Sequence, residues 1–228
     1  HVDLRPRLAV MRDQLVVGRD LILRGLAFQA CFLSATAVVG RFSVTALAAH
    51  QIALQLWLFC ALALDAVAIA AQSLVGASLG GGRGEEARSL ANRIAVIGGV
   101  CGLGLGALIG AGAWVVPGWF TSDPAVQEQA LVAWPWFALM QPLAGIVFAL
   151  DGVLIGAGDV RYMRNLTLAA ALGGFLPAIW TAHILQLGLN GVWAGLTLFI
   201  VIRLAALVLR LRSGRWAITG AQVTPAAR

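Results

Sequence analysis

The chain has 228 residues, of which 60% are hydrophobic and only 11% charged, and its mean hydropathy is +0.88. A water-soluble domain carries about 25% charged residues, so an ordinary soluble enzyme is excluded. All 16 basic residues are Arg, against 10 acids, which gives a net charge of +6. Nucleic acid is not the partner this implies, because a basic groove needs clustered charges and these Arg residues stand at the ends of long apolar runs. That placement points to a lipid bilayer. Cys31, Cys60 and Cys101 are odd in number and lie in apolar stretches, so neither a disulfide framework nor a metal cage follows. The chain opens on His1 with no signal-peptide pattern before the first apolar run, and reads as a piece of something longer.

A membrane-crossing helix needs ~20 mostly apolar residues. Six segments meet this: 21–39, 44–79, 94–116, 131–155, 166–187 and 192–211. The expected fold is therefore all-α and integral to the membrane, with six transmembrane helices over 21–212. Residues 1–20 read as a polar linker or amphipathic lead-in, and 213–228 as a loose basic tail. The second span exceeds the ~30 Å hydrocarbon layer at ~1.5 Å per residue, so it tilts or continues past the headgroups. Thirteen Arg residues flank the spans on one side and only Arg41 on the other. By the positive-inside rule both ends of the chain, and the 80–93 and 156–165 loops, are cytoplasmic. Trp114, Trp119, Phe120, Trp134, Trp136 and Trp193 are expected as anchors at the outer interface and Trp216 at the inner one.

Local signals refine the spans. Between the third and fourth, Thr121 or Ser122 is expected to cap a helix with Asp123 and Pro124 in its first turn. The run Gly80-Gly-Gly82 ends the second span. No Gly-Lys-Ser/Thr follows it and no strand precedes it, so it is a helix terminator and not a phosphate loop. Gly98, Gly102, Gly106 and Gly110 recur every fourth residue and predict a close helix–helix seam inside the lobe. Pro135, Pro142 and Pro177 lie within spans and can bend them, as prolines do in many static membrane helices as well as in flexing ones, the static role being favoured.

Charges in a bilayer cost several kcal/mol and mark a pathway or a partner. Asp65 lies near the middle of the second span. Gln51, Gln55 and Gln72 fall with it within a ~100° arc, a polar stripe expected to line a cavity or another helix. Asp151, Arg24 and Arg203 fall at comparable depth in the inner half of the membrane, where two acids and two bases can cancel. They either lock the helices as ion pairs or take part in coupling, the structural role being favoured for these three. For Asp65, proton or cation handling and ion pairing stand level. His50 and His183 are expected to be hydrogen-bonded interfacial residues.

Several runs then carry a likeness. Ala48-Ala-His-Gln-Ile-Ala53 opens the second span, followed by Asp65-Ala-Val-Ala-Ile-Ala-Ala-Gln72 and Val75-Gly-Ala-Ser-Leu-Gly80. Phe120-Thr-Ser-Asp123 lies in the outer loop. Leu150-Asp-Gly-Val-Leu-Ile-Gly-Ala-Gly-Asp159, then Met163-Arg-Asn165, closes the fourth span. In order and spacing these resemble the multidrug and toxic compound extrusion (MATE) transporters, in the DinF-like branch. The resemblance implies the second six-helix lobe of a twelve-helix, V-shaped transporter, with residues 1–20 as the cytoplasmic linker between lobes. It further implies a bacterial plasma membrane, no cofactor, and no enzymatic activity. The partners it implies are the first lobe of the same protein and small organic, often cationic and amphipathic, substrates exported against inward H⁺ or Na⁺. Sodium-coupled relatives carry an acid in the helix matching 21–39, where this chain has none. The coupling Asp of DinF-like relatives lies in the first lobe. Asp65 and Asp151 match the family pattern, and Asp65 leads as the site candidate.

Two other readings stand beside this one. A flippase for lipid-linked precursors has a related architecture, but its cavity needs an excess of basic groups, whereas Arg24 and Arg203 are matched by acids. A membrane-embedded phosphatidyltransferase shares the outline of Asp151-Gly152 and Gly156 to Asp159. That chemistry needs several carboxylates around Mg²⁺, and only Asp151 and Asp159 are available there.

Overall fold

The computed structural model describes residues 8–219, which form eight α-helices, one π-turn and no strand. α1 spans Leu8–Val39, α2 Val44–Gly80, α3 Gly84–Ala111, α4 Val116–Phe120 and α5 Pro124–Gly156. α6 (Val160–Ala170), a π-turn at Ala171–Phe175 and α7 (Leu176–Ile184) together make the fifth span, and α8 (Gly188–Arg212) the sixth. Six segments are long and apolar enough to cross a membrane. The segment expected as a linker up to residue 20 shows no break there: from Leu8 it is the first part of α1, and residues 1–7 lie outside the described region. A row of good helix formers with no proline lets the helix run through.

The caps follow from short-range chemistry. Ser43 accepts the Ala46 N–H at 2.9 Å and starts α2. For α5 the cap is Asp123, and not Thr121 or Ser122: Asp123 Oδ1 accepts the Ala125 N–H at 2.9 Å. Pro124, suited to the first helical position, fixes the cap one residue before it. Thr121 instead accepts the Asp123 N–H at 3.1 Å. α5 passes through Pro135 and Pro142 unbroken. Pro177 has the π-turn just upstream, where the Leu176 N–H bonds to the Ala171 carbonyl.

α5 is the central helix and packs against α2, α3 and α8. Gly98, Gly102 and Gly106 of α3 lie directly on its backbone at Gly145, Gln141 and Ala138. A methyl group on Gly106 would stand 2.6 Å from the Ala138 carbonyl oxygen, and one on Gly98 2.6 Å from Ala149 Cβ. Gly152 and Gly156 make the same kind of approach to Ala68 and Gln72 of α2. Gly110, the fourth member of the expected stripe, meets nothing within 4 Å, because the seam ends one turn before it.

The aromatic residues divide into two groups. Trp114 and Trp119 are 83% and 76% exposed and Phe120 is exposed as well, as interfacial anchors are. Trp134 and Trp193, expected beside them, are instead buried in the core, as is Trp216. Trp134 Nε1 donates to the Ile109 carbonyl at 2.7 Å, and Trp216 Nε1 to the Leu211 carbonyl at 3.0 Å. Trp216 therefore pins residues 213–219 back onto the bundle, so this part of the expected loose tail is folded; residues 220–228 lie outside the described region. Trp136 is half-buried and donates to Asn190 Oδ1 at 3.0 Å.

Gly102→Ala is expected to destabilise the protein by about 1–3 kcal/mol through overpacking. Gly110→Ala is expected to be neutral, or stabilising by up to ~1 kcal/mol, through helix propensity. Thermal unfolding of the two variants in one detergent checks this, and equal midpoints would remove the seam from the packing account.

Candidate transport cavity

A cavity of ≈ 290 Å³ opens between α1, α2, α5 and α8. α2 turns one face to it, with Leu54, Trp57, Leu58, Ala61, Asp65 and Ala68 at the three- and four-residue spacing of a single helical stripe. Phe28 and Phe32 come from α1, Met140 and Phe148 from α5, and Trp193 and Phe199 from α8. The rings meet edge to face: Phe28 and Phe199 at 5.6 Å, Trp57 and Phe148 at 6.4 Å. Such walls suit an amphipathic ligand with flat or bulky apolar parts.

Four charged side chains lie on the lining: Arg24, Arg203, Asp151 and Asp65. Arg203 Nη2 donates to both oxygens of Asp151, at 2.9 and 2.6 Å, and Arg24 Nη2 donates to Asp151 Oδ2. Arg203 is 2% exposed and Asp151 6%. The guanidinium of Arg203 also stacks over Phe28 at 4.7 Å and faces Phe199 at 5.8 Å, and Arg24 lies 5.4 Å from Phe28. Two cations on one carboxylate leave this cluster with a surplus positive charge, and Asp65 on the same lining brings the sum to zero. Among the described residues Asp65 makes no salt bridge, and it is exposed on the lobe. Arg24 Nε and Arg203 Nε are buried without a partner among the described residues.

Of the four residues expected to form a polar stripe, Asp65 alone is on the cavity lining. Gln51, Gln55 and Gln72 are exposed on the surface of the lobe. The cavity face of α2 is centred beyond Asp65 on the side away from Gln51 and Gln55. Gln72 lies two turns further along, where its backbone packs on Gly156. His50, expected as a hydrogen-bonded interfacial residue, is fully buried; neither ring nitrogen has a partner among the described residues, and the ring stands edge-on to Trp193 at 5.9 Å. His183 is half-buried between Phe42 at 5.9 Å and Trp180 at 6.1 Å.

A second set of charges, missed by the sequence reading, closes the Arg-rich end of the bundle. Asp20 is 1% exposed and accepts from Arg164 Nη1 at 2.6 Å and Arg19 Nη2 at 2.9 Å, which ties α1 to α6. Asp159 accepts from Arg210 Nε at 2.7 Å, and Arg210 lies over Tyr162, whose hydroxyl donates to the Ala206 carbonyl. The signal in the sequence is an acid at the edge of an apolar run, with Arg164 and Arg210 in the flanks that set the topology. Asp151 and Asp159 are thus each neutralised by Arg, which removes the carboxylate array of the phosphatidyltransferase reading. Among the described residues no three His, Cys, Asp or Glu side chains meet as a metal site.

Comparison with known proteins places this arrangement. Residues 21–180 match the family model described as MatE. The chain is 33% identical over 218 residues to Protein DETOXIFICATION 44, chloroplastic, of Arabidopsis thaliana, covering 93% of this chain and 41% of that protein. It is 29% identical over 210 residues to DNA damage-inducible protein F of Escherichia coli strain K12, covering 90% and 45%. The fold is shared with the crystal structure of the eukaryotic MATE transporter AtDTX14, at a TM-score of 0.75 and 23% identity, over 82% of this chain and 42% of that one. The chain thus spans about two fifths of the length of the curated relatives it matches. With six helices long and apolar enough to cross a membrane and a family match over residues 21–180, the chain belongs to the MatE family, whose members are membrane transporters and not enzymes.

Proposed function

We propose that this chain is the second six-helix lobe of a DinF-like efflux transporter of the bacterial plasma membrane. Paired with a first lobe, it forms one wall of a cleft that alternates between the two sides of the membrane. The exported compounds are small, organic and often cationic and amphipathic, and inward movement of H⁺ or Na⁺ drives them. Both ends of the chain lie on the cytoplasmic side, as thirteen Arg residues against one favour.

One observation carries this reading. The aromatic cavity contains two carboxylates in unlike settings: Asp151 held by two guanidinium groups, Asp65 by none among the described residues. A carboxylate already shared by two cations has little left to offer a third, so Asp151 serves as the counter-ion that lets Arg24 and Arg203 stay in the bundle. Asp65 is free to exchange a proton or a cation, or to meet a cationic substrate against the rings. Equal numbers of acids and bases on the lining leave no positive excess for the pyrophosphate of a flippase substrate.

In the full-length protein Asp65→Asn is expected to abolish efflux with expression intact, measured as dye or drug retention in cells across external pH. Unchanged efflux with unchanged pH dependence would take Asp65 out of the mechanism. Asp151→Asn is expected to lower the folded yield sharply, since breaking one partner of a buried pair costs about 3–5 kcal/mol. Replacing the whole cluster with apolar groups, as in Asp151→Leu with Arg24→Met and Arg203→Met, is expected to recover yield by size-exclusion chromatography, because no charge is then stranded. Normal yield with lost transport in Asp151→Asn would reassign that residue to coupling.

A further inference from the structure

Two further cavities lie along one face of α3, a helix that contributes nothing to the lining of the transport cavity. At the Arg-rich end, a cavity of ≈ 400 Å³ is lined by Arg88 and Asn92 of α3 and by Arg212, Ser213 and Trp216 at the end of α8. Further along, a shallow cavity of ≈ 340 Å³ is lined only by Val96, Val100, Leu103 and other apolar groups. At ~100° per residue, positions 88, 92, 96, 99, 100 and 103 fall within about one third of the helix circumference. The two cavities therefore follow one another on a single face, the first polar and basic, the second wholly apolar.

The polar end is built by a specific turn. Gly214 takes φ +66 after α8, and the Arg88 guanidinium lies against it, so that a Cβ there would stand 3.1 Å from Arg88 Nη2. Trp216, buried behind, fixes the turn. Arg88 pairs with Glu85 at 2.7 Å, but both side chains are exposed and such a pair is weak in water. Among the described residues Arg212 makes no salt bridge. Two guanidinium groups facing one concavity, with the Asn92 amide beside them, match the oxygen fork of a phosphate. The apolar half matches an acyl chain, and Val96 and Val100 are 67% and 62% exposed, so lipid reaches them.

We propose that this face of α3 is a binding site for an anionic phospholipid, with its phosphate between Arg88 and Arg212 and an acyl chain along Val96 and Val100. The site is independent of the transport cavity and of the reading given for it. Basic pockets at the ends of spanning helices recognise headgroups in this manner.

The test is thermal unfolding of the full-length protein in phosphatidylcholine nanodiscs, in equal mixtures of phosphatidylcholine and phosphatidylglycerol, and in phosphatidylcholine with inorganic phosphate. Phosphatidylglycerol is expected to raise the midpoint. In Arg88→Gln/Arg212→Gln the apparent affinity for it should fall by about 30-fold, at ~5-fold for each Arg near the surface. Val100→Trp, which fills the apolar cavity and leaves both Arg residues in place, should also weaken the phosphatidylglycerol effect. No preference of the wild type for phosphatidylglycerol, or full retention of it in the Arg variant, overturns the proposal. Reproduction of the whole shift by inorganic phosphate alone overturns it too, by making a free anion the ligand. Should the Arg variant yield no folded protein, Val100→Trp decides, and an unchanged lipid response there overturns the site.

Discussion

Within a bilayer, apolar side chains gain nothing by turning from lipid toward one another, so helices are held by close backbone approach and by polar pairing. α5 supplies both. One side of it carries Gly145, Gly152 and Gly156, which let α3 and α2 lie against its backbone, and the other carries Asp151, which draws in Arg24 of α1 and Arg203 of α8. The two modes differ in reach. The glycine seams work only at contact and require a glycine on at least one partner, as where Gly102 lies on Gln141 and Gly156 on Gln72. The ion cluster spans the gap that the cavity occupies: it joins α1 to α5 through the long Arg24 side chain where the two helices do not pack closely, and it adds Arg203 to the packing of α8 on α5.

This division explains where the open space lies. Close backbone packing at the α3–α5 seam leaves no room for a ligand, whereas between α1, α2, α5 and α8 the spacing imposed by Phe28, Trp57, Phe148 and Phe199 leaves ≈ 290 Å³. The charges at its edge are tolerable there because each guanidinium has both a carboxylate and a ring face, the two partners that offset its removal from water. The same economy recurs at the Arg-rich end, where Asp20 and Asp159 hold Arg164 and Arg210 and so connect α1, α6 and α8.

Much of the architecture was legible in the sequence because it depends on composition along one axis. Apolar run length gives the six spans, and the four-residue glycine period gives the α3 seam up to Gly106. What depends on rotation about a helix axis was not legible. Trp134 and Trp193 lie at one end of their spans in sequence, but only the packed structure turns them inward, against Ile109 and His50. Likewise Gln51, Gln55 and Gln72 share an arc with Asp65, but the cavity takes the side of that arc away from Gln51 and Gln55 and ends along the helix before Gln72. Depth alone left open which Arg meets which Asp; the placement of α1 and α8 beside α5 puts both on Asp151. Asp20 is not marked because the apolar window begins just after it, and the capping role of Asp123 is not marked because Thr121 and Ser122 are equally suited to cap, which puts Asp123 with Pro124 in the first turn.

The π-turn at Ala171–Phe175 inserts one extra residue where Pro177 can donate no hydrogen bond. It offsets the helical wheel, so the inward stripe of α6, which includes Met163 and Ala170, resumes in α7 at Ile179 and Ala182 out of phase with a plain 3.6-residue repeat. The fifth span is in effect two rods sharing a swivel. α6, tied to α1 through Arg164 and to α8 through Tyr162 and Asp159, and α7, packed on α8, therefore turn different faces inward, so that one span fits two sets of neighbours.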